Sequence, residues 1–357
     1  MRGCTHLLAL ALLGAALLLP GCLQEDEGKE TGEPPETLEN ETGMDEPPAG
    51  DGNGERQGKE QEAQADARLS FKVLWSFPTG GDVYGVALAL NGTLAAVGSY
   101  DGHVYLLRGG EEVWRFKTRG GVRDVAVTDD GRLLAAVSYV YDEATVYLLN
   151  GDGVELWNLS VPGMSRGVDV DPRGRVAVAS YMDRVYLLVD GGVAWSHALE
   201  DSPYGSWDVA FSGETLWAVD DSGYLYAFSP GGEVLHRVRV AVKDYPYGLA
   251  TGSGGYVAVA TMKGWIHLYR DGRLLWKKRT ASPGDRLVAG YGAAISDEGL
   301  VAVGSWDRNL YIYDTGGRRL LRHPVGAYVN RLDFSGTRLI YGSVDGRAYL
   351  AEAALVR

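Results

Sequence analysis

The chain has 357 residues, a formal net charge of -13, 45% hydrophobic residues, 50 glycines and only two cysteines. Between Leu23 and Asp66 stand 15 acidic residues against 3 basic ones, whereas from Ala67 onward 32 acidic residues face 30 basic ones. The part able to fold is therefore nearly neutral and gives no sign of the basic face a nucleic-acid partner requires, so none is expected.

The chain opens with Arg2 and an apolar run from Leu7 to Leu19, too short to span a bilayer and shaped like a secretory leader. It ends in Leu19-Pro20-Gly21-Cys22. Leu, a small residue and then Cys resembles the lipobox of prokaryotic lipoproteins. That resemblance implies cleavage after residue 21, lipidation of Cys22 and a membrane attached through the anchor. An ordinary signal peptide with an incidental Cys is the other reading. Cys4 would leave with the leader, so the mature chain would hold one Cys and no disulfide. Residues 22–66 are rich in Glu, Gly, Pro, Gln and Asn. They cannot bury enough apolar surface to offset the entropy of ordering, and their like charges extend them. We read them as a disordered acidic tether and expect the protein on the extracytoplasmic side of the cell membrane.

Residues 67–357 repeat. In Leu94–Leu107 two apolar, β-branched arms flank Asp101-Gly102, a pair suited to the positive φ angles of a tight hairpin turn. The third-strand marker recurs as Tyr105, Tyr147, Tyr186, Tyr226, His267, Tyr311 and Tyr349, with spacings of 42, 39, 40, 41, 44 and 38. A period near 40 with four short strands per unit predicts a seven-bladed, all-β propeller. The fourth-strand marker runs Trp75, Trp114, Trp157, Trp195, His236, Trp276 and Leu321, one strand ahead of the others, and the last unit stops near Leu350. The strand 71–77 is therefore predicted to close the ring as the outer strand of the seventh blade.

The Gly98-Ser99-Tyr100-Asp101-Gly102 hairpin running into Val104-Tyr105-Leu106-Leu107, and the Gly-x-x-Leu-Trp outer strand, resemble the prokaryotic PQQ-like and WD40-like β-propeller repeat proteins. In plan the chain also resembles the propeller lipoproteins of the outer-membrane barrel-assembly machinery, which differ in blade count. The resemblance implies the fold, and leaves function to the loops.

The loops fall on two faces. First-to-second and third-to-fourth turns are minimal, such as Asn91-Gly92 and Arg173-Gly174, and no function is expected there. The other face carries Tyr100, Tyr139, Tyr181 and Trp306 at hairpin tips. Aligning the first strands places Tyr84, Arg123, Arg166, Trp207, Tyr247, Tyr291 and Asn330 around the channel mouth. Tyr, Trp and Arg give large contact areas for little entropy loss and dominate binding hot spots. The mouth is the candidate site for a small polar or aromatic ligand or a protein; padding of the channel is the competing reading. Three consecutive longer blade-to-blade loops, carrying Asp201, Tyr204, Asp244, Asp285 and Arg286 among others, would wall one side.

Catalytic signals are thin. Gly163-Met164-Ser165-Arg166-Gly167 matches G-x-S-x-G, but a strand rather than a helix follows. The histidines after the leader are scattered, so no metal site is expected from them. Asp124, Asp208, Asp244 and Asp285 offer oxygen ligands for Ca²⁺, but no Asp-x-Asp-x-Asp-Gly run accompanies them, and solvated or salt-bridged loop acids are the favoured reading. Compared with the PQQ-dependent dehydrogenases, the chain lacks the vicinal Cys pair, and only Asp314-Thr315-Gly316-Gly317 echoes their repeat. The expected function is a monomeric, surface-anchored, non-catalytic binding or scaffold module without a cofactor. A quinoprotein-like dehydrogenase or another enzyme acting at the channel mouth is the alternative.

Overall fold

Short apolar strands and tight turns form seven sheets of four antiparallel strands, six in sequential order and the seventh completed by the first strand of the chain. The computed structural model describes residues 68–356 apart from 183, 200–201, 203 and 281–289. The leader, Cys22 and the acidic segment to residue 66 lie outside the described residues. The inner strands are Val83–Ala89, Gly121–Val127, Ser165–Val170, Ser206–Ser212, Pro246–Gly252, Gly290–Ile295 and Val329–Ser335. Each contacts the next around a closed ring, the seventh returning to the first. The fold is a seven-bladed, all-β propeller.

Burial follows strand order. Leu94–Ser99 is buried throughout, because a second strand is covered on both faces by neighbouring blades and needs a continuous apolar run. The outer strand Glu111–Lys117 is largely exposed, with Trp114 and Phe116 turned toward the interior. Each apolar layer is shared between blades: Val97, Tyr105 and Leu107 of the first pack with Ile340 and Leu350 of the seventh.

Both sequence markers have physical causes. The third-strand tyrosine pins the hairpin before it: the Tyr105 hydroxyl donates to Asp101 at 2.7 Å and that of Tyr349 to Asp345 at 2.6 Å. Tyr311 donates likewise to Asp307. Burial and the adjacent carboxylate push the Tyr105 hydroxyl well above the usual phenol range. The outer-strand tryptophan packs beneath a turn of the next blade. Trp114 Nε1 donates to the Gly151 carbonyl at 3.0 Å, and its ring fills the place of a side chain at Gly153, where a Cβ would come within 2.8 Å of it. Gly153 also has φ +79°, so glycine is needed there twice over.

The ring closes as expected, with a longer seam. Arg68–Pro78 pairs antiparallel with Arg347–Val356, Arg68 opposite Val356 and Pro78 opposite Arg347. The last strand thus runs past Leu350 to Val356, because the closing strand supplies backbone partners along that whole length. Leu69 and Phe71 gain cover from the neighbouring sixth and seventh blades, and Phe71 lies 4.7 Å from His323.

Candidate functional site at the channel mouth

One backbone irregularity builds the mouth. In six blades the inner strand begins with a β-bulge, where a single residue lies between consecutive paired positions. Those residues are Tyr84, Arg123, Arg166, Trp207, Tyr247 and Tyr291. The seventh blade breaks register between Val329 and Leu332, leaving Asn330 and Arg331. A bulge re-aims a side chain relative to the pleat. Here it sends a ring of large side chains toward the channel axis while the strands below continue in register.

Five of the seven expected mouth residues, Tyr84, Arg123, Arg166, Trp207 and Tyr247, line one pocket together with Arg331. Tyr291 occupies the bulge of its blade, but its side chain lies outside the described residues. Asn330 is buried and donates from Nδ2 to the Val83 carbonyl at 2.9 Å, stitching the seventh blade to the first. Arg331, the residue after it, lines the pocket instead.

Two aromatic clusters grip the arginines. The Arg123 guanidinium lies 4.6 Å from the Tyr84 ring centre, 5.3 Å from Tyr100 and 4.7 Å from Tyr139. Its Nη2 also donates to the Tyr139 oxygen at 2.8 Å, and the Tyr100 and Tyr139 hydroxyls share a 2.7 Å hydrogen bond. That bond and burial push Tyr100 up to about 12. Burial pushes Tyr139 the same way, but its bond to Tyr100 and the charges of Arg123 and Arg166 outweigh burial and lower it. Arg166 lies 4.2 Å over Trp207 and 5.7 Å from Tyr181, and Trp207 packs edge-on against Tyr247 at 4.3 Å. Tyr204 stacks on Tyr181 at 5.4 Å. Trp306, expected on the same loop face, stacks on Tyr328 and does not line the pocket. The pocket these groups leave holds about 30 Å³, room for one or two waters.

Arg331 divides the channel. From the seventh blade it reaches Asp208 of the fourth through both terminal nitrogens, one bond being 2.8 Å, and Asp124 of the second at 3.0 Å. It also donates to the Arg166 carbonyl at 3.1 Å. Asp124 and Asp208, expected among the solvated or salt-bridged acids of the mouth's loops, form the salt bridge but do not lie on loops. They are instead buried on inner strands, and each also accepts a neighbouring blade's backbone N–H, from Val168 at 3.0 Å and Leu249 at 2.7 Å. Burial and the charge of Asp208 raise the Asp124 pKa against the opposing pull of Arg331.

Below Arg331 the channel widens into a cavity of about 570 Å³ lined by inner strands and the first-to-second turns. This vestibule opens on the face where minimal turns suggested nothing. At one level of the inner strands its lining reads Ala87, Ala126, Asp169, Ala210, Ala250, Ala294 and Asp333. Asp169 accepts N–H groups of Val170 at 2.8 Å and Phe211 at 2.7 Å; Asp333 accepts that of Leu88 at 2.7 Å. Burial pushes both carboxyls up to about 7 despite these bonds.

Sequence reasoning missed Arg331, Asp169 and Asp333, although a signal existed. The position after each mouth residue reads Gly85, Asp124, Gly167, Asp208, Gly248, Gly292 and Arg331. Two acids and one base among four glycines mark a spanning ion set at one level of the channel. Glycine is needed beside it because inner strands crowd there: a Cβ on Gly85 would meet Val125 N at 2.6 Å.

The cofactor alternatives fit these residues poorly. Arg331 already occupies the cation's place between Asp124 and Asp208. Asp244 is engaged by Thr261 Oγ1 at 2.6 Å and the Lys263 N–H at 2.9 Å, while Asp285 lies outside the described residues. A tricyclic quinone carrying carboxylates exceeds the mouth pocket, and in the vestibule it would face seven aspartates. Ser165 is fully buried at the start of an inner strand, and its hydroxyl makes no hydrogen bond among the described residues.

Two family models match the chain. One is described as outer membrane protein assembly factor BamB and covers residues 142–237; the other, WD domain, G-beta repeat, covers residues 71–106. A search of curated proteins finds no match. The two matches fall on different blades of a single closed ring, and the chain is a β-propeller of PQQ-like and WD40-like repeats.

Proposed function

We propose that this propeller is a non-catalytic binding or scaffold module whose partner docks on the loop face around the channel mouth. The observation that carries the reading is the apolar surface at the hairpin tips beside that mouth. Tyr141 is 89% exposed, Met182 56% and Tyr100 47%, and they sit on three consecutive blades. Exposed aromatic and methionine side chains around a packed Arg–aromatic centre have the composition of a protein-binding hot spot with its surround. The matched model described as an outer membrane assembly factor favours an extracytoplasmic scaffold role. In this reading residues 1–21 are a leader, Cys22 carries lipid, and residues 22–66 tether the propeller to the membrane.

The test is affinity capture from host membranes with the full chain. A defined partner should be retained and then lost in a Tyr141→Arg/Met182→Glu variant whose melting temperature is unchanged. Equal capture by that variant contradicts docking at the tips. Cys22→Ser should move the protein from membranes to the soluble fraction, and retention there would contradict the anchor.

A further inference from the structure

We infer that the outer flank of the fourth, fifth and sixth blades is a surface for anionic lipid headgroups, which lays the propeller against the membrane and leaves the hairpin tips of the first three blades free. It rests on the anchor reading above only for the nearness of a membrane; the charge and shape of the flank stand on the structure. The near balance of charge over residues 67–357 hides its distribution. The outer strands Val234–Arg239, Arg273–Arg279 and Arg319–Pro324 carry eight Arg or Lys and no Asp or Glu. Lys72, exposed on the outer strand of the seventh blade, continues the series. On the other arc, Glu111–Lys117, Glu155–Pro162 and Gly192–Ala198 carry three acids and two bases, and Arg115 is paired with Glu112 at 2.7 Å. Basic residues on edge strands also discourage strand pairing, but that need applies to all seven blades and does not explain their gathering on one arc.

The flank is continuous from blade to blade. Lys278 of the fifth blade reaches the turn of the sixth, where a Cβ on Gly317 would come within 3.0 Å of its Cε. Arg239 lies 5.3 Å from the Tyr224 ring centre and Lys277 5.5 Å from that of Trp265, contacts that hold both cations along the outer sheet surface. The acids of these blades stand elsewhere. Glu233, Asp271 and Asp314 occupy the turns before the three strands, at the vestibule end, and Asp314 is held by Arg318 at 3.1 Å. Arg237 is engaged with Tyr226 and the charge of Asp220, and Arg322 bonds Asn309 at 3.3 Å, so the centre of the flank is Arg239, Lys277 and Lys278. Among these cations Leu235, Leu274 and Leu275 are each half exposed. Leu235 and Leu275 sit where their strands lose register, and such a bulge turns a side chain outward. Cations interspersed with exposed leucines suit a headgroup and acyl boundary, whereas an acidic protein would need the cations alone. The described chain begins at Arg68–Pro78, which touches the sixth blade through Phe71 and His323. A chain anchored by its N-terminus therefore enters the propeller beside this flank.

The test is co-sedimentation of the full chain carrying Cys22→Ser, so that no lipidated cysteine contributes, with vesicles of phosphatidylcholine alone or with about one-third phosphatidylglycerol. Although the chain is net acidic, it should bind the anionic vesicles about tenfold or more tightly than the neutral ones. That preference should fade as salt rises from about 0.05 to about 0.3 M. Arg239→Glu/Lys277→Glu/Lys278→Glu should bring binding to the level of the neutral vesicles, while Arg115→Glu/Lys117→Glu on the first blade should leave it unchanged. Leu275→Ser should weaken it several-fold. Equal binding to both vesicles overturns the flank, as does an unchanged preference in the triple variant or an equal loss in the first-blade variant. If the triple variant does not fold, Lys277→Gln/Lys278→Gln decides by the same outcomes. Tighter binding to polyglutamate than to the anionic vesicles, indifferent to Leu275→Ser, overturns the lipid assignment in favour of an acidic protein. The contact is peripheral and salt-reversible, so fractionation of Cys22→Ser after a high-salt wash still reports on the anchor. Vesicle preference with Cys22→Ser retained through that wash would keep the flank and reject the anchor; release of Cys22→Ser with no vesicle preference would keep the anchor and overturn the flank.

Discussion

The two ends of the central channel are built from the same strands and differ in almost every property. Above Arg331 the inner-strand residues are bulged, large and cationic or aromatic, and they fill the mouth until about 30 Å³ remains. Below it the same strands run in register, alanine replaces bulk, and acids line a space of about 570 Å³. A one-residue bulge repeated around the ring thus turns one strand set into a packed, donor-rich surface at one end and a hollow, acceptor-rich one at the other. Cavity size alone would direct attention to the vestibule. Exposed apolar tips direct it to the mouth, where docking of a partner on the surface, as proposed, would need little empty volume.

The comparison depends most on the ionic partition. Arg331→Met should destabilise the propeller by about 3–5 kcal/mol, because it leaves Asp124 and Asp208 buried beside each other without a counter-charge. Adding Asp124→Asn and Asp208→Asn should recover much of that loss in denaturant unfolding. A neutral Arg331→Met would mean the partition carries little. Trp207→Ala should cost about 2–4 kcal/mol, since the indole is buried against Arg166, Tyr181 and Tyr247. A loss under about 0.5 kcal/mol would place the mouth among ordinary surface positions.

The vestibule acids give a pH signature. Asp169 and Asp333 have folded-state values of about 7 against 3.8 ordinarily, so over this interval the unfolded chain binds fewer protons than the folded one. Their contribution to stability therefore falls as pH rises from about 4 to about 7 and is level above that. The size is moderated because both side chains keep partial exposure to the vestibule. Melting temperature measured across this interval should fall less steeply in Asp169→Asn/Asp333→Asn than in the parent. Tyr139→Phe should lower stability by about 1 kcal/mol through loss of its bonds to Arg123 and Tyr100, and should bring the Tyr100 titration, followed by absorbance, down from about 12. Tyr141→Ser should change stability by no more than about 0.5 kcal/mol, since the side chain is almost wholly exposed, and its effect should appear in partner capture alone.

The fold was legible because each repeat states its constraints locally. Tyr105 needs Asp101 four residues earlier, and Trp114 needs a glycine turn in the next blade, so both recur at a fixed period. The closing strand was legible because Trp75 stands one strand ahead of its series. The mouth ring was legible only as positions in an alignment. The bulges that aim those residues depend on backbone pairing across the inner strands, which has no residue signature here beyond size. Asn330 shows the consequence: the alignment ranks it with the ring, yet the seventh blade's wider register break ties it to Val83 and leaves Arg331 at the pocket. The ion set of Asp124, Asp208 and Arg331 spans 207 residues of sequence, and only ring closure brings its members together.

The difference between the two faces is tested most directly by placing a photo-crosslinking amino acid at position 141, beside the mouth, and separately at position 173, on a turn of the vestibule face. Irradiation of host membranes carrying the full chain should give a discrete adduct from position 141 and none from position 173. An adduct from position 173 alone, or the same adduct from both, would contradict docking at the mouth.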